Sequence, residues 1–179
     1  MRISYRRGAL VALSLATTLA AACSTGPAEP TGRQADSVLV HEQWVKAADS
    51  GMTAAFAELR STADTAVRVV SASSPASARV ELHEIAPGAA GATVMRPKTG
   101  GFVIPAGGTY ALVAGGDHVM LMDLLAPLTP GAETEITLVF EDSSSTTFTA
   151  QVRDFAGAQE NYEPGGHDPA GPVNPAHSG

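Results

Sequence analysis

Short apolar segments rich in β-branched residues alternate with turns along most of the chain. Nine segments of this kind occur, at 38–40, 44–45, 67–70, 79–83, 102–104, 110–113, 118–122, 135–140 and 147–152. Gly or Pro clusters separate many of these segments. In 135–140 and 147–152, apolar and polar residues alternate with a period of two, as they do in strands. Segment 52–60 is long enough for a helix, but Gly51 and the neighbouring strands favour an extended conformation.

This pattern predicts an all-β fold, with a single domain at residues 38–155. Several short strands separated by turn signals are typical of a β-sandwich or barrel. The 118 residues of this span are enough to close one modest hydrophobic core. No internal repeat divides the span further, so we expect one domain.

The first residues have the composition of a signal peptide. Residues 1–7 are basic, residues 8–22 are apolar and uncharged, and small residues precede Cys23, the only cysteine. The apolar run is shorter than the roughly 20 residues that a stable membrane span needs. We therefore predict a lipoprotein signal peptide at 1–22 and lipidation of Cys23. An arginine pair in the basic segment leaves the Sec and twin-arginine export routes both open.

The segments flanking the predicted domain lack any apolar period. Residues 23–37 are rich in Gly, Pro, Thr and Ala, which predicts a lipidated cysteine followed by a flexible tether. Residues 156–179 are rich in Gly and Pro, which predicts a disordered tail. We therefore expect an extracytoplasmic protein, anchored to the cell membrane by its lipid.

The charge of the mature chain excludes some classes of partner. The whole chain has 11 basic and 18 acidic side chains, and removing residues 1–22 removes three arginines and no acid. The mature chain then has 8 basic and 18 acidic side chains, a formal charge of −10. A surface of this sign repels nucleic acid and anionic lipid headgroups. We therefore expect no nucleic-acid partner and membrane contact through the lipid anchor alone.

Candidate chemistry lies in histidine and methionine side chains near three predicted strands. His83 ends one predicted strand, Met95 ends the next, and His118 and Met120 lie two residues apart on a third. Because side chains alternate along a strand, His118 and Met120 project from the same face. The loop at Gly116 and Asp117 precedes this pair, where a ligand can approach. These four residues are the predicted metal site.

The chemistry of these donors selects the metal. Two imidazoles and two thioethers are all neutral, and thioether sulfur is soft. Soft ligands favour Cu(I), whereas Zn(II) prefers thiolate, imidazole and carboxylate, and Ca(II) and Mg(II) prefer oxygen. Neutral ligands leave the ion with one positive charge, which a partner can remove by ligand exchange. The residue types therefore predict a carrier of Cu(I). We expect Met95 and Met120 to be exposed and to release the ion stepwise to a sulfur or imidazole of the acceptor, while the histidines hold it.

The remaining methionines and histidines have simpler interpretations. Met52 and Met122 are predicted to be core residues, because methionine is most often a packing residue. His41 is predicted to be structural, on a strand near the single tryptophan. His167 and His177 lie in the predicted tail, and we consider an auxiliary Cu(II) site there as a separate hypothesis.

The order of these residues resembles a known family, the PCuAC-type periplasmic copper chaperones. The family signature is a His, then a Met, then a His-x-Met, and His83, Met95 and His118-Val119-Met120 follow this order. The flanking text at 81–84, 94–97, 104–108 and 118–124 is similar too, and the resemblance covers most of residues 38–155. Two features depart from the family: the connection 96–117 is one residue longer than usual, and Glu84-Ile85 stands where a Met often follows the first His.

The resemblance implies a fold, a cargo and partners. The implied fold is a cupredoxin-like Greek-key β-sandwich or barrel without a blue-copper site. The implied function is Cu(I) delivery, chiefly to the CuA centre in subunit II of a haem-copper oxidase, often alongside a Sco-type protein.

Two other functions are compatible with parts of the sequence. A surface-anchored immunoglobulin-like adhesion or structural module would share the β-pattern and the lipid anchor, but it would not need the four ligands to converge. An enzyme is disfavoured by the sequence, which contains no nucleophile-elbow pattern, no phosphate-cradling loop and no thiol pair.

Overall fold

The computed structural model describes residues 32–88 and 92–157, and the backbone of 161–162. The predicted signal peptide, Cys23 and the tail histidines His167 and His177 lie outside the described residues. Contacts divide the chain after Thr31, and the compact unit that follows contains every described residue. Within that part of the chain there is no helix of the length and apolarity that crossing a membrane requires.

Regular structure in the described residues consists of a 3₁₀ helix at Gln34–Ser37 and eleven strands. The strands are Val38–Lys46 (β1), Thr53–Ser61 (β2), Val67–Ser73 (β3), Ser77–Pro87 (β4), Thr93–Pro97 (β5), Phe102–Ile104 (β6), Thr109–Leu112 (β7), His118–Leu124 (β8), Glu133–Phe140 (β9), Ser145–Arg153 (β10) and Asn161–Tyr162 (β11). All nine predicted segments lie within strands, except that 110–113 extends one residue beyond β7, and most of the strands are longer than predicted. The ambiguous segment 52–60 is extended, as β2. The predicted all-β class is confirmed.

The strands form one continuous hydrogen-bonded sheet that folds over itself. Its order is β11-β5-β4-β8-β2-β1-β10-β9-β3-β6, with β7 added beside β2. Two strands pair with the same edge of β2: β8 pairs with residues 53–55, and β7 pairs with residues 57–60. Strand β1 runs antiparallel to β2 and then pairs in parallel with β10 through residues 44–46, past a bulge that follows His41.

The main hydrophobic core lies between the two halves of the folded sheet. It combines residues of β2, β4 and β8 with residues of β3, β9 and β10, including Leu59, Leu121, Val69, Leu138 and Val152. All five side chains are at most 1% exposed. Because side chains alternate along a strand, every second residue of β2, β4 and β8 points away from this core. That outer face carries the candidate site.

The ends of the domain differ from the sequence-based boundaries. The predicted tether reaches residue 37, but Gln34–Ser37 is a 3₁₀ helix whose Ala35 is buried in the main core. The N–H groups of Gln34 and Ala35 donate to the side chains of Asp142 and Ser144. The predicted tail begins at residue 156, but β11 at Asn161–Tyr162 pairs in parallel with β5. The predictions of a tether to residue 37 and of disorder from residue 156 are therefore wrong for these segments.

Candidate metal centre

Backbone pairing brings the predicted ligands of three strands onto one face. His83 of β4 and His118 of β8 are direct cross-strand partners in the antiparallel pair, and Glu81 is the partner of Met120. Met95 of β5 is opposite Ile85 of β4, two residues from His83 on the same face. Register alone therefore places the four predicted ligands as neighbours.

Contacts between the side chains also join these four residues. The His118 Nε2 and Met95 Sδ atoms are 2.9 Å apart, and the rings of His83 and His118 lie 5.6 Å apart between centroids. Met95 and Met120 belong to one buried cluster, which also contains Ala54, Phe56 and Met122 and which we call the methionine cluster. The structure thus brings together all four residues that the sequence predicts as ligands.

Burial of the four side chains corrects one expectation. His83 is 0% exposed, His118 3%, Met120 4% and Met95 7%. The expectation that Met95 and Met120 are exposed is therefore wrong. Met95 is also central in β5, and β4 continues to Pro87, so neither Met95 nor His83 ends its strand as predicted.

Hydrogen bonds fix which nitrogen of each imidazole carries the lone pair. His118 donates from Nδ1 to the Gly116 carbonyl at 2.9 Å, so the neutral ring has its lone pair on Nε2, facing the Met95 sulfur. His83 Nε2 lies 2.8 Å from a Glu81 carboxylate oxygen, which accepts a hydrogen bond from the Nε2–H group, so the lone pair of the neutral ring is on Nδ1. Such outer partners commonly orient histidines that bind metals.

The electrostatics keep His83 neutral and Glu81 charged. Burial lowers the pKa of His83, more than the hydrogen bond and the negative charge of Glu81 raise it. For Glu81, burial acts to raise the pKa, but the hydrogen bond with His83 and the charge of Arg79 outweigh it and the pKa is lowered. Arg79 also forms an ion pair with Asp123 at 3.7 Å. A neutral imidazole with a charged carboxylate behind it is a suitable metal donor.

A second network fixes the loop before His118. Tyr110 donates a hydrogen bond to Asp117, and Lys98 lies 3.3 Å from the same carboxylate. Lys98 also bonds Glu84 at 3.0 Å, next to His83. Gly115 has a φ of +79°, a left-handed conformation that suits glycine in this turn. The network therefore holds the Gly116 carbonyl where it orients His118.

A cavity of about 150 Å³ opens beside the ligands. Met95, His118 and Met120 line it from the buried side, and Met52, Lys46 and Gly115 belong to its wall as well. Met52 is 42% exposed, so its prediction as a core residue is wrong, whereas Met122 is buried as predicted. His41 is exposed beside the β1 bulge and does not take part in the site.

Two site features were missed by the sequence analysis. Glu81 could have been found, since it lies two residues before His83 and therefore on the same face of a strand. The Gly116 carbonyl could not, because a backbone group has no signal in the residue types. Among the described residues, no group of three or more His, Cys, Asp or Glu side chains could hold a metal.

The sequence around this site matches one protein family. Residues 38–152, which include all four candidate ligands, match the family described as “Putative lipoprotein LpqE-like”. The chain belongs to this family. A relative from Leifsonia xyli subsp. xyli (strain CTCB07), “Putative lipoprotein Lxx21020”, is 43% identical over 158 residues, covering 88% of this chain and 95% of the relative.

Solved structures with a similar fold include two PCuAC domains. The copper-bound PCuAC domain from PmoF2 has a TM-score of 0.55 at 22% identity, covering 66% of this chain and 94% of that domain. The apo PCuAC domain from PmoF1 gives 0.54 at 23% identity, covering 66% and 95%. Apo-DR1885 from Deinococcus radiodurans gives 0.50 at 28% identity, covering 82% and 98%. The predicted resemblance to PCuAC domains and the cupredoxin-like fold are confirmed.

Proposed function

We propose that this protein is an extracytoplasmic, lipid-anchored copper chaperone, which binds one Cu(I) ion through His83, Met95, His118 and Met120. The observation that carries the proposal is the convergence of two imidazoles and two thioethers from β4, β5 and β8 on one buried face. Soft, neutral donors of this kind favour Cu(I) over zinc, calcium or magnesium. One solved structure with a similar fold is a copper-bound PCuAC domain, which supports the same cargo.

The mechanism is binding and exchange rather than catalysis. The Gly116 carbonyl and the Glu81 carboxylate orient the two imidazoles before the ion arrives, so little rearrangement of the histidines is needed. The thioethers are weak, polarizable donors that an incoming sulfur or imidazole can replace. We propose delivery to the CuA centre in subunit II of a haem-copper oxidase, with a Sco-type protein acting in the same assembly step.

The test is an anaerobic Cu(I) titration against a chromogenic competitor. The protein is the chain without residues 1–22 and with Cys23→Ser, because a free thiol would itself bind Cu(I). We expect one tight equivalent, and a loss of affinity of about tenfold or more, equal to 1.4 kcal/mol, in Met120→Leu. Met122→Leu is the matched control, since Met122 is a buried methionine on the same face of the same strand.

Each outcome of the titration has a clear meaning. If the parent protein does not compete for Cu(I), the carrier function is wrong and the surface-anchored adhesion module becomes the leading alternative. If both methionine variants lose affinity equally, the effect is one of packing and the ligand assignment is wrong. The same comparison applies to the histidines. His118→Ala should lose affinity for Cu(I), and His41→Ala is its control, because His41 is exposed and outside the site.

A secondary Cu(II) site at His167 and His177 remains a separate proposal, supported by these two histidines alone. Deleting residues 163–179 leaves β11 intact and removes both histidines. If Cu(II) binding is unchanged in this variant, the secondary site does not exist.

A further inference from the structure

We propose that Met52 is the transfer ligand of the site, the thioether that first contacts incoming Cu(I) and last contacts it on departure. This inference rests on the proposed function and adds a residue that lies outside the four predicted ligands. It concerns how quickly copper moves, whereas the four ligands determine how tightly it is held.

The first observation is a problem of access. The four ligands are between 0% and 7% exposed, so a partner protein cannot contact them directly at the surface. A Cu(I) ion that leaves all its ligands at once would have to enter water without a soft donor. Exchange is easier when a new donor binds before an old one departs, which requires an accessible donor next to the buried set.

The second observation is the position of Met52. It is 42% exposed and lines the same cavity as Met95, His118 and Met120. It immediately precedes β2, in which Ala54 is paired with Met120. Because side chains alternate, Met52 lies on the face of Ala54, which is the face of the methionine cluster.

The third observation concerns the distribution of soft donors. Residues 24–179 contain four methionines, and the structure places Met95, Met120 and Met122 in the methionine cluster and Met52 in the cavity wall. In the part of the chain that the structure describes, six other large apolar side chains are also exposed, among them Leu39, Val70 and Leu125, but none of them has a donor atom or lines this cavity. Met52 is thus a soft donor that is exposed at the surface and also lines the cavity beside the buried ligands.

The cavity has room for such an exchange. Its volume of about 150 Å³ is several times the roughly 30 Å³ that one water occupies in the liquid. Methionine has three rotatable side-chain bonds, so the Met52 sulfur can reach inward or outward without backbone movement. No bond other than metal–ligand bonds forms or breaks, and copper stays in the Cu(I) state throughout.

The experiment is a stopped-flow transfer of Cu(I) to an excess of a bidentate chromogenic chelator. The protein is the Cu(I)-loaded Cys23→Ser chain without residues 1–22, compared with its Met52→Leu variant. Leucine keeps the size and removes the donor. We expect transfer to slow by roughly tenfold, with equilibrium affinity changed by less than about twofold. Met52→His, which restores a donor, should recover much of the rate, and Met122→Leu is the control.

The outcomes separate this inference from the proposed function. Parent protein that fails to bind Cu(I) overturns both. Parent protein that binds Cu(I), with a Met52→Leu variant that transfers at the parent rate, overturns only the role of Met52. If Met52→Leu loses equilibrium affinity tenfold, Met52 is a ligand of the bound ion, and this result also overturns its role in transfer.

Discussion

The two faces of strand β8 show how one segment serves both folding and binding. Val119 and Leu121 point into the main core, whereas His118, Met120 and Met122 point to the opposite face. Both faces are buried, but the first packs in a core of apolar side chains, whereas the second has donors oriented by polar groups. A period of two thus lets neighbouring residues belong to different environments, one that stabilises the fold and one that holds the candidate site.

The most direct test of this division is to shorten a side chain on the face of β8 that points into the main core. Leu121→Ala should reduce the free energy of unfolding by about 2–5 kcal/mol, because it leaves a cavity in the main core. Met122→Leu, on the outer face, should cost less than about 1.5 kcal/mol, since the volumes are similar. Urea denaturation of both variants checks this. A smaller loss for Leu121→Ala than for Met122→Leu would contradict the division.

A second prediction addresses the outer face alone. Glu81→Gln should weaken Cu(I) binding by about tenfold or more, because the outer partner of a ligating histidine affects metal affinity by 10–100-fold. Glu141→Gln is the matched control, since the Glu141 carboxylate pairs with Arg68 at 3.5 Å rather than with a histidine. The competitive Cu(I) titration measures both. Equal effects of the two variants would remove Glu81 from the site.

The loop that joins β7 to β8 gives a smaller effect. Tyr110→Phe removes the hydrogen bond to Asp117 and should destabilise the protein by about 1.5 kcal/mol. The ring contact with Phe102 at 5.4 Å is retained. Hydrogen exchange of the Val113 and Gly116 amides should accelerate more than exchange in β9. Uniform acceleration throughout the protein would contradict a local role.

The smallest expected effect lies outside the site, at Asp142. Burial would raise the pKa of Asp142, but hydrogen bonds from the Ser144 hydroxyl and from the Gln34 and Ser144 amides outweigh it, and the pKa is lowered. Asp142→Asn should therefore cost roughly 0.5–1 kcal/mol at neutral pH.

The pH dependence of this effect has a defined sign. A carboxylate whose pKa is lower in the folded protein stabilises it above the unfolded pKa of about 3.9, and this contribution disappears as the pH falls through the folded pKa. The stability difference between Asp142→Asn and the parent should shrink below about pH 4. Unfolding curves between pH 3 and pH 7 measure it, and a difference that grows in acid would contradict the assignment. Copper affinity should be unaffected.

The sequence predicted the strands, and which four side chains come together, better than it predicted their surroundings. Alternation and turn residues locate β3, β8 and β10, because each strand needs an apolar side facing the core. Alternation does not indicate whether the other side is covered, so Met95 and Met120 were wrongly expected to be exposed. Met52 was wrongly expected to be buried for the same reason, since its residue type fits both environments.

The ends of the domain were hard to predict for a different reason. The 3₁₀ helix at Gln34–Ser37 is stabilised by distant partners, Asp142 and Ser144, which lie more than 100 residues away along the chain. Strand β11 forms through backbone pairing with β5, which does not depend on an apolar pattern. Local composition therefore indicated a tether and a tail at positions where long-range contacts impose order.

The direct pairing of His83 with His118 has a consequence for the thermodynamics of loading. The loss of backbone entropy needed to bring the two imidazoles together is incurred when β4 and β8 pair during folding, so it does not recur when the ion binds. Affinity then depends mainly on donor chemistry and on a few side-chain rotations. We expect the empty and loaded proteins to have nearly superimposable backbones, so that an acceptor meets the same surface in both states.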